Sequence, residues 1–146
     1  MPLPAFDESG NLPEGFHVAS LSDVVARFGF GSDQRNLVTD SLRHIHSLAM
    51  QTGKLDKLIV FGSYVSDKLE PNDVDVILVL TDEFRLDDCP SESLSLFDHS
   101  RADTELGASI FWIRPGMLLG EPLEQFLSHW QTKRGGGRRG IVEIRA

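Results

Sequence analysis

The stretch from Phe61 to Asp75 reads FGSYVSDKLEPNDVD and decides how the chain can fold. Its Gly-Ser pair follows KLIVF at 57–61, a short run rich in β-branched residues that is typical of a buried strand. Its Asp-x-Asp motif opens DVDVILVL at 73–80, where alternation gives way to continuous hydrophobicity, as in a central strand with a polar start. We therefore predict two buried strands joined by a short helical or looped segment.

Asp73 and Asp75 are the candidate catalytic residues and metal ligands. Side chains two positions apart in a strand point to the same face, so the two carboxylates come close together. Two like charges at short range repel each other unless a cation lies between them. A divalent cation such as Mg²⁺ prefers carboxylate and phosphate oxygens, and the pair therefore predicts a Mg²⁺ site. Taken alone, an Asp-x-Asp motif is also common at solvated strand ends.

Gly62, Ser63 and Lys68 are the candidate nucleotide-binding residues. A glycine lets the backbone approach a phosphate closely, and the Ser63 hydroxyl and neighbouring N–H groups can donate to it. Lys68 can reach a triphosphate, although a solvated lysine is the simpler interpretation. A metal site beside a phosphate-binding turn indicates phosphoryl or nucleotidyl transfer, because the cation neutralises charge that develops at the transferred phosphorus.

The rest of the chain alternates between helical and extended periodicity, which predicts an α/β (α+β) fold with a mixed β-sheet packed against helices. Ser20 and Asp23 form a capping box for the first helix, and Asp33 is the expected cap of the second. Predicted helices occupy 21–28, 33–53, 91–103 and a segment beginning at Pro122, and further strands occupy 108–113 and 140–144, the last at a sheet edge. Residues 1–19 predict an extended N-terminal arm, and residues 20–146 a single domain.

The Gly-Ser…Asp-x-Asp order resembles the signature of the nucleotidyltransferase (DNA polymerase β-like) superfamily. Four segments further resemble a small prokaryotic family of nucleotidyltransferase-like domains of unknown function; they lie at 6–17, 27–29, 62–76 and 131–144. The resemblance implies a minimal nucleotidyltransferase fold with Mg²⁺ as cofactor and a nucleoside triphosphate as substrate, its base undetermined. A shared fold by itself implies activity only loosely.

A third acid of the superfamily has no obvious counterpart in this chain. Members normally supply it from a neighbouring strand, where it completes a two-metal site and can act as a general base. The matching position here is about Ser109, whose hydroxyl is a poor metal ligand and no base at neutral pH. Asp103 and Glu105 lie just upstream and are the alternative candidates if the register differs.

The resemblance implies two functions. We expect an enzyme that transfers a nucleotidyl group from a nucleoside triphosphate to a protein or RNA acceptor. The alternative is a catalytically impaired nucleotide-binding or partner-binding module, such as a component of a toxin–antitoxin pair. A basic loop, formed by Lys133, Arg134, Arg138 and Arg139, is suited to phosphate or RNA, although a flexible connector fits it equally well.

Composition excludes several classes of protein. A formal net charge of −8 argues against a general nucleic-acid coat protein, which is normally basic. A single cysteine permits neither an internal disulfide nor a zinc site built from thiolates. The apolar runs are far shorter than the roughly 20 residues of a membrane span, and the N-terminus lacks the features of a secretory signal. We therefore expect a cytoplasmic protein without membrane partners.

Overall fold

Five strands form one mixed sheet, and they follow the order β1-β5-β2-β3-β4. The computed structural model describes residues 3–133 and 135–146. The strands are β1 (Phe16–Val18), β2 (Leu55–Phe61), β3 (Val74–Leu80), β4 (Ala108–Ile113) and β5 (Ile141–Arg145). The α-helices are α1 (Leu21–Phe28), α2 (Asp33–Met50), α3 (His99–Arg101) and α4 (Leu123–Ser128). The predicted α/β class with a mixed sheet is confirmed.

The two strands predicted around the Gly-Ser…Asp-x-Asp stretch are present, and they are neighbours. β2 and β3 pair antiparallel, with Phe61 opposite Asp75. β4 then pairs parallel to β3, with Asp75 opposite Ser109. Asp73 lies immediately before β3, so the start of β3 and the end of β2 meet at one end of the sheet.

β5 is an inner strand, so its prediction as an edge strand was wrong. It pairs antiparallel with β2 and, on its other side, parallel with β1. β1 belongs to the segment 1–19 that was predicted as an extended arm, and Leu12 in the same segment is fully buried. The hydrophobic pattern of three residues is too short to reveal such a strand, which forms only when β5 supplies a partner.

Helix boundaries follow local capping chemistry. The predicted capping box of α1 is present, with the Ser20 side chain accepting from the Asp23 N–H and the Asp23 carboxylate accepting from the Ser20 N–H. The cap of α2 is Ser32, not Asp33 as predicted, because the Ser32 hydroxyl accepts from the Arg35 N–H at 3.1 Å. Ser32 also donates to the Leu69 carbonyl, which ties the start of α2 to the following loop.

Two other predicted helices are shorter than their sequence patterns indicate. The segment 91–103 divides into a 3₁₀ helix at Ser91–Phe97, the short α3, and a π-helical turn at Ala102–Leu106. Asp98 interrupts it, because its backbone is extended and its side chain caps α3. Pro122 precedes α4 as its cap instead of occupying the first helical position.

Helices α1 and α2 cover one face of the sheet, and α4 covers part of the other. The larger hydrophobic cluster joins residues of both helices to one side of the strands, including Val24, Leu42, Leu58 and Leu78. The smaller cluster lies on the opposite side, where Leu127 packs against Ile59 and Ile77. Within the described residues, none of the helices combines the length and hydrophobicity needed to span a membrane.

Arg35 is buried between α2 and the loop that follows β2, although charged side chains are rarely buried. All five of its N–H groups donate to backbone carbonyl oxygens, at distances between 2.6 and 3.0 Å. The acceptors belong to Phe28, Tyr64, Ser66 and Lys68. Desolvation lowers the pKa of Arg35 from its usual value. The carbonyl dipoles replace water around the guanidinium and stabilise its charged form.

We expect Arg35→Leu to lower the free energy of unfolding by about 3 kcal/mol or more, because each hydrogen bond from a charged donor contributes roughly 1.5–3 kcal/mol. Arg35→Lys is expected to recover only part of this loss, since an ammonium has three donors and cannot reach carbonyls on several sides. Urea denaturation followed by circular dichroism measures both. Arg43→Leu, which removes an exposed arginine from the same helix, is the control; equal effects at the two positions would contradict the role of Arg35.

Candidate functional site

Asp73, Asp75 and Ser109 come together at the end of the sheet where β3 begins. The Ser109 hydroxyl donates to Asp73 Oδ2 at 3.1 Å. Asp75 lies directly opposite Ser109 in the parallel register of β3 and β4, so their side chains share one face of the sheet. All three residues are partly exposed. The face therefore presents two carboxylates and one hydroxyl to solvent within a single patch.

Gly62 allows the Asp75 carboxylate to lie against the turn that follows β2. Its φ of 82° and ψ of −161° fall in a region that essentially only glycine adopts. A Cβ atom built on Gly62 would overlap the Asp75 carboxylate. The close approach and the backbone conformation both require glycine at this position.

Ser63 begins a 3₁₀ turn, Ser63–Val65, directly after Gly62. The Ser63 carbonyl accepts hydrogen bonds from the Ser66 hydroxyl at 2.6 Å and from the Ser66 N–H at 3.2 Å, which closes the turn. The half-buried Ser63 side chain remains at the end of the sheet beside Gly62. The Ser63 hydroxyl and the backbone of the 3₁₀ turn thus lie at the same end of the sheet as the two carboxylates.

The two alternative candidates for a third acid lie on the π-helical turn that precedes β4. Glu105 pairs with Arg101 at 2.7 Å, and this hydrogen bond holds the pKa of Glu105 below its usual value. Asp103 is exposed on the same turn. Across residues 3–133 and 135–146, no group of three or more His, Cys, Asp or Glu side chains is arranged to hold a metal ion. Neither Asp103 nor Glu105 therefore joins Asp73 and Asp75 in such a group.

A cleft of about 430 Å³ opens beside Asp75. Acidic, basic and aromatic side chains share its wall, which consists of Phe61, Gly62, Asp75, His129, Trp130, Thr132, Lys133 and Arg139. Lys68, predicted to contact phosphate, is not among them; its side chain is exposed and its carbonyl accepts from Arg35. The cations of the cleft come from the C-terminal basic loop.

The basic residues of that loop have different surroundings. Arg138 bonds to Glu14 at 2.6 Å and to the Ser128 carbonyl and hydroxyl at 2.9 and 2.8 Å, so it fastens the loop to its surroundings. Lys133 and Arg139 line the cleft. Arg134 lies outside the described residues.

Among the described residues, Arg139 is a cation that lines the same cleft as Asp75. Desolvation lowers the pKa of Arg139 from its usual value, and the charge of Asp75 opposes that shift. Its guanidinium donates to Asn11 Oδ1 at 3.2 Å, and its N–H donates to the Gln131 carbonyl at 2.8 Å. Sequence reasoning grouped Arg139 with its neighbours and overlooked Asn11 entirely, since nothing in the local pattern shows that residue 11 meets residue 139.

The sequence profile of one family matches residues 4–145 of this chain. The chain belongs to the family of unknown function DUF6932. No curated protein matches this DUF6932 chain. A crystal structure at 1.40 Å of a protein from Sulfolobus solfataricus, described as a "putative nucleotidyltransferase", is similar at 16% identity. That similarity covers 66% of the DUF6932 chain and 73% of the other, with a TM-score of 0.31.

We expect Gly62→Ala to destabilise the protein by about 3 kcal/mol or more, because a strained backbone conformation costs roughly 1–3 kcal/mol and the Asp75 carboxylate must also move. Gly53→Ala is the matched control: Gly53 also has a positive φ of 67°, but open space surrounds it. Its expected loss is about 1 kcal/mol, from backbone strain alone. Urea denaturation compares the two, and equal losses would show that Asp75 does not restrict Gly62.

Proposed function

We propose that this DUF6932 domain binds Mg²⁺ and a nucleoside triphosphate at the junction of β2 and β3 and transfers a nucleotidyl group to an acceptor hydroxyl. The observation that carries the proposal is the presence of an acidic and two basic side chains in the lining of one cleft. Asp75 supplies negative charge to the cleft, with Asp73 near it at the start of β3, and Arg139 and Lys133 supply positive charge to the same cleft. A metal–triphosphate complex carries both signs of charge and complements both groups.

The donor set fits Mg²⁺. Two carboxylates beside a hydroxyl offer hard oxygen ligands, and Mg²⁺ commonly binds one or two carboxylates while substrate phosphates and water complete its octahedron. Asp73 and Asp75 would hold the ion, which when bound would neutralise charge on the reacting phosphate. Ser109 would orient Asp73 through its hydrogen bond.

The remaining residues would bind and orient the triphosphate. Gly62, which has no side chain, would let a phosphate approach the backbone closely, and the Ser63 hydroxyl can donate to a phosphate oxygen. Arg139, held by Asn11, would present its fork of N–H groups to two phosphate oxygens, and Lys133 would add a second cation. In the transfer, the acceptor oxygen bonds to the α-phosphorus, the bond to pyrophosphate breaks, and the hydroxyl proton passes to a base.

Ser109 supports a second candidate function, nucleotide binding without turnover. The serine lies opposite Asp75 and bonds to Asp73. The resemblance to the superfamily implies that the third carboxylate of a two-metal site would stand at about this position. A serine hydroxyl cannot accept the acceptor's proton at neutral pH. The two candidates share the binding site and differ in the rate of transfer.

We expect Mg²⁺ with a nucleoside triphosphate to raise the melting temperature of the wild-type protein, since a ligand that binds only the folded state stabilises it. Asp73→Asn combined with Asp75→Asn is expected to abolish that rise, because neutral amides do not attract the cation. Differential scanning fluorimetry with each of the four triphosphates measures the shift. The proposal fails if calorimetry finds equal binding by the wild type and the double variant.

The matched control for this experiment is Asp87→Asn combined with Asp88→Asn. These exposed acids lie on the 3₁₀ turn Leu86–Asp88, and their substitution changes the net charge by the same amount. The control should retain the full melting-temperature shift. A comparable loss in the control would assign the effect to overall charge.

We expect Ser109→Asp to increase Mg²⁺-dependent transfer, by up to about 10²–10⁴-fold if the new carboxylate acts as a general base. Labelled triphosphate incubated with a cell lysate as acceptor source, followed by recovery of label on protein or RNA, measures the rate. Ser47→Asp, on the exposed side of α2, is the control for added charge. If Ser109→Asp changes neither metal affinity nor rate while Glu105→Gln abolishes transfer, Ser109 does not occupy the position of the third acid.

A further inference from the structure

A second cavity, of about 370 Å³, opens along β4. This aromatic groove is lined by Phe97, His99, Ile110, Phe111, Trp112, Phe126 and Trp130. Its volume lies within the range of roughly 300–1,000 Å³ that is usual for small-molecule sites. Phe111 is 39% exposed, so part of its ring is accessible to a ligand in the groove.

The aromatic groove runs along the outer edge of β4. Ile110, Phe111 and Trp112 are consecutive, and consecutive side chains of a strand point to opposite faces of the sheet. A cavity that touches all three must therefore border the edge of the strand. Rings lie on both sides of this edge, with Trp112 packed against Phe97 on one face and Phe111 against Trp130 on the other, at centroid distances of 5.3 and 4.9 Å.

The edge itself offers hydrogen-bonding groups. β4 is the last strand of the sheet, and in the described part of the chain its residues pair only with β3. An edge strand directs the N–H and C=O groups of alternate residues away from the sheet. Donors and acceptors in the plane of the sheet thus lie between two layers of rings. A flat group with polar atoms around its edge is complementary to such a slot.

The aromatic groove lies next to the cleft that holds the charged residues. Trp130 lines both cavities, and its ring lies 5.1 Å from that of Phe61 in the wall of the cleft. Phe111 is two residues beyond Ser109, on the same face of β4. One ligand can therefore place charged groups against Asp75 and Arg139 and a planar group against Phe111.

We propose that the aromatic groove binds the base of the nucleotide whose phosphates occupy the cleft, an inference that rests on the proposed function. A base stacks on rings through its faces and forms hydrogen bonds through its edge, so it uses both features of the groove. An aliphatic side chain would leave the polar groups of the strand edge unsatisfied. An added peptide strand needs a long open edge, whereas the aromatic groove touches only three consecutive residues of β4, Ile110 to Trp112.

The tryptophans of the chain can report binding at this site through their fluorescence. Its only two tryptophans, Trp112 and Trp130, both line the aromatic groove. The experiment titrates the protein with adenosine, guanosine, cytidine and uridine, which lack phosphates, and follows tryptophan fluorescence excited at the red edge. We expect at least one nucleoside to change the emission saturably.

Phe111→Leu tests the stacking surface while retaining an apolar side chain. We expect it to weaken nucleoside binding about tenfold, within the range observed when an aromatic stacking partner is removed. Phe30→Leu is the matched control, because Phe30 is 65% exposed in the turn between α1 and α2 and lines neither cavity. It should bind nucleosides as the wild type does, and thermal melting verifies that both variants fold.

The proposal is overturned if none of the four nucleosides changes the fluorescence, or if Phe111→Leu binds the responding nucleoside as tightly as Phe30→Leu does. Saturable quenching by unrelated extended peptides with no response to nucleosides would also overturn it, in favour of strand addition. The Asp73→Asn, Asp75→Asn variant separates the two proposals. It should bind the nucleoside normally, so equal triphosphate binding by this variant and the wild type would refute the metal–phosphate site without refuting the aromatic groove.

Discussion

The hydrogen bonds of the buried Arg35 guanidinium are the constraint on which the candidate site depends. A buried charge is tolerated only if its donors are satisfied, and here backbone carbonyls at the end of α1 and in the segment after β2 satisfy them. The turn after β2 provides two of these carbonyls, at Tyr64 and Ser66. The Tyr64 hydroxyl bonds in turn to Thr39 at 2.7 Å, on the helix that carries Arg35. A shift of the turn would break these hydrogen bonds and leave the buried guanidinium without acceptors. The hydrogen bonds of Arg35 therefore hold the turn in place against α2.

The same turn also holds the N-terminal segment in place, and this segment in turn contacts Arg139. Asn11 forms a β-bridge with Ser66, and the Asp67 N–H donates to the Gly10 carbonyl at 2.9 Å. The Asn11 side chain then accepts from Arg139. A continuous set of hydrogen bonds thus fixes the distance between the strand ends that bear the carboxylates and the wall that bears the cation. Preorganisation of this kind reduces the entropy lost when a charged ligand binds.

Local signals accounted for the predictions that the structure confirms. The periodicity of 57–61 and 73–80 identified β2 and β3, because burial on both faces of a strand leaves a continuous apolar run. The capping box of α1 was evident because its two partners lie three residues apart. The strand period predicted that Asp73 and Asp75 lie close together, and the structure places Asp73 within hydrogen-bond distance of Ser109, which pairs with Asp75. The segment 91–103 was predicted less well, because the extended backbone of Asp98 interrupts its helical pattern.

The sequence by itself determined which strands bear the carboxylates and why Gly-Ser precedes them, since side-chain period and turn chemistry act over a few residues. Tertiary structure decided what faces those carboxylates. The pairing of β5 between β1 and β2, the contact of Asn11 with Arg139, and the ring-lined edge of β4 all join segments that are distant in the chain. No local period encodes such contacts, because they form only when the sheet brings the segments together and buries their polar groups as pairs.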